Sequence, residues 1–236
     1  MRTRHLFILA AAACALAACQ KQKPMTQAQA GETYFNALGC KSCHQIGNSG
    51  GTYGPNLTYV GFRKSPQWLD LWLKDPHAWR DKTVMPNFHL SDEMRAALVA
   101  YLSQQNGQAW TKADKPWNAA DLKDDPIKRG AMIFNKVGCV ACHGVGGVGG
   151  YPNNNVIGGL IPSLTKVAEG YSKQELIHKI HDGVIPTPMD PGQPAPMIHM
   201  PPWGQVLNSE EVTDVADYLI SLDPGAQSGS GGAGGF

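Results

Sequence analysis

The chain has 236 residues, which is long enough for one large or two small domains with cores of their own. Its 42% of apolar residues is ordinary for a soluble protein, and its 27 glycines and 17 prolines indicate many loops. The formal net charge of +1 gives no support for nucleic-acid binding, so no nucleic acid is expected as a partner.

The N-terminus has the features of a targeting segment. Two arginines precede an apolar stretch, residues 6–18, that is too short to be a typical membrane-spanning helix. The stretch ends in Leu16-Ala17-Ala18-Cys19, which resembles the lipobox of bacterial lipoprotein signal peptides. We therefore expect a signal peptide over residues 1–18 and a lipid anchor on Cys19. The alternative is ordinary cleavage that releases a soluble periplasmic protein.

Both ends of the remaining chain are of low complexity. Residues 19–30 are polar and are expected to tether the first domain to the membrane surface. Residues 224–236 are rich in glycine and are expected to be disordered. The expected location is the periplasmic side of a bacterial membrane.

The central feature of the chain is a motif that occurs twice, as Cys40-Lys41-Ser42-Cys43-His44 and as Cys139-Val140-Ala141-Cys142-His143. C-x-x-C-H is typical of c-type haem attachment, because two thiols on one helical turn can bond to both vinyl groups of a porphyrin. The adjacent histidine then lies against the iron. The alternatives are a zinc site and a redox dithiol, which also use C-x-x-C. With four cysteines assigned to haem, Cys19 to lipid and Cys14 to the signal, none remains for a disulfide.

An internal repeat surrounds the two motifs. Residues 31–40 align with residues 130–139, 99 positions later, and this predicts two copies of one domain. Here the chain resembles class I c-type cytochromes in tandem, over nearly all of the mature sequence. The resemblance implies an all-α fold of two domains, each with short helices wrapped around one covalent haem. We place the first domain at 31–105, a linker at 106–125 and the second domain at 126–223.

The resemblance also implies roles on the proximal side of each haem. A glycine and an aromatic residue of the first helix, Gly31 with Phe35 and Gly130 with Phe134, are expected to pack against the last helix of their domain. A capping or loop role for the glycines is the alternative. The carbonyl groups of Pro55 and Pro162 are expected to accept a hydrogen bond from the proximal imidazole, which would fix the ring and its tautomer.

Two further helices are predicted in each copy. Ser65 and Pro66 have the pattern of an N-cap and a first helical residue, and residues 172–181 are their counterpart. Trp68 and Trp72 of the first copy are expected to cover the haem edge. The last helices are predicted to start near Ser91 and Ser209. In the linker, Trp110 and Trp117 are expected to pack on a domain surface.

The sixth iron ligand is expected to be a methionine in each domain. Met85 and Met200 each precede a proline and the last helix, as in the family pattern. The competing candidates are His89 in the first copy and His199, Met189 and Met197 in the second. The second copy is longer at residues 144–159 and 186–196, which are predicted to be loops that wall the second haem or form a docking surface. His178 and His181 are expected to be exposed polar residues, with a metal site as the alternative.

These ligands define the expected function. Thioether sulfur opposite imidazole raises the reduction potential and leaves no vacant position on the iron. We therefore expect two covalent c-type haems in a one-electron carrier, not an enzyme, whose partners are redox proteins of a respiratory or periplasmic chain and, through the lipid anchor, the membrane. One alternative is a di-haem peroxidase or similar oxidoreductase with catalysis at the second haem. Another is the haem subunit of a larger dehydrogenase or reductase.

Overall fold

The computed structural model describes residues 24–110 and 114–223. The predicted signal peptide, Cys19 with its predicted lipid anchor, most of the predicted tether and the C-terminal tail lie outside the described residues. Within those residues, none of the helices has the length and apolar character needed to cross a bilayer.

The described chain is helical, and this confirms the all-α prediction. The elements of the first half are α1 (Gln27–Ala37), β1 (Gln45–Ile46), β2 (Ser49–Gly50), α2 (Val60–Arg63), α3 (Pro66–Lys74), α4 (Pro76–Trp79) and α5 (Asp92–Leu102). The second half contains α6 (Pro126–Ile133), α7 (Val140–His143), α8 (Val167–Gly170), α9 (Lys173–Asp182) and α10 (Ser209–Ser221). Single 3₁₀ or π turns occupy Cys40–Ser42, Pro116–Asn118, Ala120–Leu122, Phe134–Gly138, Val145–Gly147, Ile157–Gly159 and Trp203–Gln205.

The first and last helices of each half cross at a glycine. A Cβ atom on Gly31 would lie 2.0 Å from the carbonyl oxygen of Ala97 in α5, and one on Gly130 would lie 1.9 Å from that of Asp214 in α10. Any larger residue would therefore force the helices apart. The predicted close approach of these helices is confirmed in both halves, and the alternative role as capping glycines is excluded.

An aromatic pair fixes the same crossing. Phe35 lies 5.5 Å from Tyr101 between ring centroids, and Phe134 lies 5.4 Å from Tyr218, with similar tilts of 53° and 58°. Tilted rings at this distance attract each other through their quadrupoles in addition to burying apolar area. The two halves therefore repeat one packing arrangement.

The predicted helix starts are confirmed by their caps. Ser65, Ser91 and Ser172 each accept a hydrogen bond from a backbone N–H in the first turn of α3, α5 and α9. The last helix begins at Ser209, but Asn208 is its N-cap. Because each cap satisfies an N–H that has no partner within the helix, it sets where the helix begins.

Two local features differ from the sequence-based expectation. Helix α1 begins at Gln27, within the stretch assigned to the tether, because Thr26 and Gln29 form a capping box. A two-residue antiparallel hairpin, β1–β2, follows the first motif. Strands this short carry no alternating pattern that a sequence could reveal.

The connecting segment, residues 106–125, contributes two tryptophans that are buried more deeply than its polar sequence predicts. Trp117 is only 1% exposed, and Trp110 and Trp117 both belong to the apolar core of the second half. The indole N–H of Trp110 donates to Asn48 at 2.9 Å, and that of Trp117 donates to Glu211 at 2.7 Å. These two tryptophans are thus part of the core and do not merely rest on a domain surface.

The two halves contact each other directly. The ring of Trp203 lies 5.4 Å from Phe62 and 6.2 Å from Tyr59, both from the first half. At another point of contact, the guanidinium of Arg80 stacks at 4.0 Å on the ring of Tyr151. These contacts and the connecting segment give the two halves a shared apolar interface.

Candidate functional site

The first motif opens on a cavity of about 620 Å³, which is within the usual range for a bound organic cofactor. Cys40, Cys43 and His44 line it on one side, and Met85 lines it as well. Its walls are largely apolar and come from α1, α3 and α5, including residues Phe35, Trp68, Leu69, Trp72, Leu73, Leu98 and Leu102. The structure therefore brings together the residues that the sequence assigns to the first haem.

His44 is held in one orientation by its neighbours. Its Nδ1 lies 2.8 Å from the carbonyl oxygen of Pro55. Because a carbonyl only accepts, Nδ1 carries the proton and Nε2 keeps a free lone pair for a metal. Gly54 packs against the ring, since a Cβ there would lie 2.5 Å from Cε1 of His44. Burial lowers the pKa of His44, the Pro55 bond opposes this, and the charge of Arg63 lowers the pKa further.

Met85 is the member of the predicted ligand pair that reaches the same cavity. Its sulfur accepts a hydrogen bond from the indole N–H of Trp72 at 3.0 Å. The competing candidate, His89, is exposed and does not line the cavity. Trp72 in turn stacks on Trp68, with 5.2 Å between the ring centroids. The two tryptophans thus form a wall next to the methionine.

The thiols of the structure stand in for the thioether sulfurs that haem attachment would create. Burial raises the pKa of Cys40 and raises that of Cys139 to about 12. A redox-active dithiol requires the opposite, a lowered pKa that favours the thiolate. In addition, the described residues contain no group of three or more His, Cys, Asp or Glu side chains placed to hold a metal ion. Both observations weigh against the zinc and dithiol alternatives.

Part of the second motif lines the same cavity. Val140, Ala141 and Cys142 contribute to its wall, together with Tyr151 and Ile161, whereas Cys139, His143 and Met200 do not line it. His143 is partly buried, and this desolvation lowers its pKa, although the backbone of Pro162 offsets part of the effect. Unlike His44, its Nδ1 makes no hydrogen bond of regular geometry. Residues of both motifs therefore line one cavity, but the imidazole of His143 is held less firmly than that of His44.

Backbone hydrogen bonds fix the position of Met200 in the second half. It exchanges two hydrogen bonds with Val184, at 2.9 and 3.0 Å, and its side chain packs against the core of the second half. Of the competing candidates, Met189 and His199 are exposed and Met197 is partly buried.

The two long loops of the second half are joined by three consecutive asparagines. Asn153 exchanges hydrogen bonds with the backbone of Ile198, at 2.9 and 3.2 Å. Asn154 bonds the backbone of Ala195 and Met197 in the same way, and Asn155 bonds that of Asp190 and Pro194. The loops therefore form one unit, and it presents Ile157 and Ile185 to solvent, at 84% and 86% exposure.

Basic residues around the cavity were not identified from the sequence. Arg63, Lys64, Arg80 and Lys136 all line it. A signal was available, since the alignment of Pro55 with Pro162 puts uncharged Gly170 and Tyr171 opposite Arg63 and Lys64. His178 and His181, by contrast, are exposed and lie near Asp182, at 3.9 and 2.7 Å. They fit the expectation of exposed polar residues.

The residues present fit covalently bound haem. The first motif supplies two sulfurs and an imidazole with a free Nε2 at the edge of a cavity with apolar walls, and a methionine sulfur reaches the same cavity. The second motif repeats the donor set, with a partly buried imidazole and Met200 in the same half.

Comparisons with known proteins agree with this donor set. The cytochrome c family matches residues 28–106 and again residues 127–223. Cytochrome c oxidase subunit 2 of Alkalihalophilus pseudofirmus is 33% identical over 86 residues, which cover 33% of this chain and 25% of the relative. The chain thus spans about a quarter of that relative.

A solved structure, the reducing HAO-like protein complex of Kuenenia stuttgartiensis, aligns with a TM-score of 0.30 and 16% identity over 86% of this chain and 99% of that chain. The family match alone covers most of the sequence, in two regions that each contain one C-x-x-C-H motif. The chain therefore belongs to the cytochrome c family.

Proposed function

We propose that the chain is a di-haem c-type cytochrome that carries single electrons in a periplasmic or membrane-surface electron-transport chain. Cys40 and Cys43 would bond one haem covalently, and Cys139 and Cys142 the other. When bound, haem supplies one-electron exchange between ferric and ferrous iron. The observation that carries the proposal is the hydrogen bond of His44 to Pro55 beside a cavity with apolar walls that Met85 also lines.

The remaining residues hold the iron ligands in place. His44 and His143 would bind the irons through Nε2, with Pro55 and Pro162 behind the rings. Met85 and Met200 would bind on the opposite sides. Because each iron would then take an imidazole and a thioether from the chain, no ligand position would be left for a substrate, which favours electron transfer over catalysis.

A ligand-binding experiment on the holoprotein tests this assignment. Mass spectrometry of the mature chain should give the mass of the polypeptide plus two haems, and cyanide should leave the optical spectra unchanged. Met85→Ala and Met200→Ala should each open one haem to cyanide and lower its reduction potential. Met94→Ala, a change outside the cavity, should do neither. A polypeptide without haem would refute the proposal.

Catalysis at the second haem is the second candidate. It is favoured by the irregular contact between Nδ1 of His143 and the backbone of Pro162, and by the long loops of the second half. In this case wild-type protein would bind cyanide at one haem and react with peroxide. A subunit role in a larger complex is supported by the relative that is named as an oxidase subunit, and co-purification from the native membrane would test it.

We also propose that the mature protein is anchored to the membrane by lipid on Cys19. The lipobox-like sequence before this cysteine is the supporting observation. Mass spectrometry of the mature N-terminal peptide should show a lipidated cysteine, and Cys19→Ser should release the protein from membranes. An unmodified N-terminus at another residue would contradict the anchor.

A further inference from the structure

The sulfur of Met85 accepts a hydrogen bond from the wall of the cavity. The indole N–H of Trp72 donates to it, with 3.0 Å between Nε1 and Sδ. Both residues line the cavity that is assigned to the first haem. A thioether sulfur has two lone pairs and is a weak acceptor. One lone pair is therefore engaged by the indole, and the other is left for the iron that Met85 is proposed to bind.

Helix α3 fixes the position of the donor. Ser65 caps the helix by accepting from the backbone N–H of Trp68, and Leu69 and Leu73 are buried in the core of the first half. The ring of Trp72 stacks on that of Trp68, with 5.2 Å between the centroids and 12° between the ring planes. Because the two tryptophans are four residues apart on one helix, their side chains lie side by side. The protein itself therefore orients the indole N–H.

Met85 is held by a separate segment of the chain. Its backbone N–H donates to Oγ1 of Thr83 at 3.3 Å, and its side chain packs against the same apolar core. An indole N–H carries one proton and cannot accept, so the contact with the sulfur uses the whole hydrogen-bonding capacity of Trp72. The contact thus joins α3 to the loop that carries the predicted iron ligand.

In the part of the chain that the structure describes, the second half offers no equivalent donor. Helices α3 and α9 both follow a serine N-cap, and counted from that cap Lys179 occupies the position of Trp72. Lys179 is exposed, and its ammonium group lies 4.9 Å from the ring centroid of Tyr171. Met200 is held through its backbone, and no side chain among the described residues donates to its sulfur. The two predicted methionine ligands therefore differ in what surrounds the sulfur.

We infer that Trp72 is a positioning residue that keeps Met85 on the first iron and raises the reduction potential of the first haem. A hydrogen bond to the sulfur withdraws electron density from it, so the sulfur stabilises ferric iron less relative to ferrous iron. The same bond restrains the side chain of Met85, so its sulfur leaves the iron less readily. Met200 receives neither effect, and the indole acts on one haem of the two. This inference rests on the proposed ligation of the first haem.

Potentiometric titration and optical spectroscopy of the full-length di-haem protein test the inference. Trp72→Phe keeps an aromatic ring in the wall and removes the N–H donor. It should lower the potential of the first haem, leave that of the second unchanged and weaken the sulfur-to-iron charge-transfer band of the ferric first haem. Cyanide should displace Met85 from this variant at concentrations that leave wild-type protein unchanged. Met85→Ala identifies the titration step and the band that belong to the first haem.

Trp79→Phe is the matched control. Trp79 lines the same cavity, and its ring lies 6.3 Å from that of Trp68. The change therefore removes an indole N–H from the same wall and leaves the donor to Met85 in place. It should shift the first potential less than Trp72→Phe does, and it should not admit cyanide.

The possible outcomes separate this inference from the proposed function. An unchanged first potential in Trp72→Phe, an equal shift of both haems, or an equal effect of Trp79→Phe would overturn the inference, while wild-type protein would still hold two haems that resist cyanide. A first haem that binds cyanide in wild-type protein would instead refute the ligation by Met85.

A second measurement applies if Trp72→Phe does not take up haem. Nuclear magnetic resonance of reduced, isotope-labelled wild-type protein should show an indole N–H that is protected from exchange with solvent and that loses this protection in Met85→Ala. Equal protection of every indole N–H in the two proteins would overturn the inference.

Discussion

At the scale of single residues, a few side chains and glycines determine the geometry of the site. Gly54 leaves room for the ring of His44, whose Nδ1 donates to Pro55. The free Nε2 follows from that one bond, since a neutral imidazole carries a single proton. A backbone carbonyl thus selects the tautomer that a metal requires.

The helix-crossing glycines give a prediction at this scale. Gly31→Ala should destabilise the protein by about 1–3 kcal/mol, because the new methyl group would overlap the backbone of Ala97 in α5. Gly170→Ala is the control, since no atom lies within 4 Å of a Cβ at this position and its φ is not positive. It should be neutral or stabilise by about 0.4–1 kcal/mol. Denaturant unfolding of the holoprotein measures both, and equal effects would contradict the close crossing.

Residue-scale features were predictable from the sequence where the repeat displays them twice. Gly31 and Gly130 occupy equivalent positions, and a shared constraint is the simplest reason for that. The charges of Arg63 and Lys64 stand out in the alignment of the repeats, but their burial was not predictable, because it depends on a contact between the halves that no periodicity encodes. The second copy has Gly170 and Tyr171 instead, and a difference between repeats does not by itself reveal which copy is functional.

At the scale of elements, the second half differs from the first mainly in its long loops. Three asparagines hydrogen-bond to the backbone of the other loop through both the nitrogen and the oxygen of their amide groups: Asn153, Asn154 and Asn155. A loop with many prolines lacks N–H donors for a sheet, so side-chain amides supply the missing partners. The sequence predicted loops here but could not reveal that they pair.

Asn153 is the buried member of this set, and its removal should loosen both loops. Asn153→Ala leaves the N–H and carbonyl of Ile198 without partners, which should cost about 1–3 kcal/mol. Hydrogen–deuterium exchange at residues 184–202 should become faster. Asn36→Ala removes an exposed hydrogen bond within α1 and should change stability by less than about 0.5 kcal/mol. Unchanged exchange in Asn153→Ala would show that the loops hold each other by other contacts.

At the scale of the whole molecule, the two halves are linked by aromatic packing. Trp203 of the second half packs against Phe62 and Tyr59 of the first, and Tyr59 also lies 5.8 Å from Trp110. Each half has a core that the sequence repeat predicts, but the interface between the halves has no repeat counterpart. The sequence therefore indicated two domains and gave no indication of how they join.

Trp203→Ala tests the linkage. Removing this buried ring should cost about 3–5 kcal/mol and should separate one unfolding transition into two, because the contact with Phe62 and Tyr59 is lost. Differential scanning calorimetry of the holoprotein shows whether there is one unfolding transition or two. Ile185→Ala, at an exposed site of the same half, should leave stability within about 0.5 kcal/mol of wild type. A single transition in Trp203→Ala would mean that other contacts couple the halves.

The buried tryptophans of the connecting segment limit how this protein can be divided or evolve. Trp117 belongs to the apolar core of the second half, and its indole donates to Glu211. If the second half were expressed from residue 126 onward, it would therefore lack part of its own core. The smallest fragment that keeps this core complete is the second half together with the connecting segment that precedes it. A gene duplication, truncation or fusion that separates the connecting segment from the second half would produce a fragment with an exposed apolar cavity.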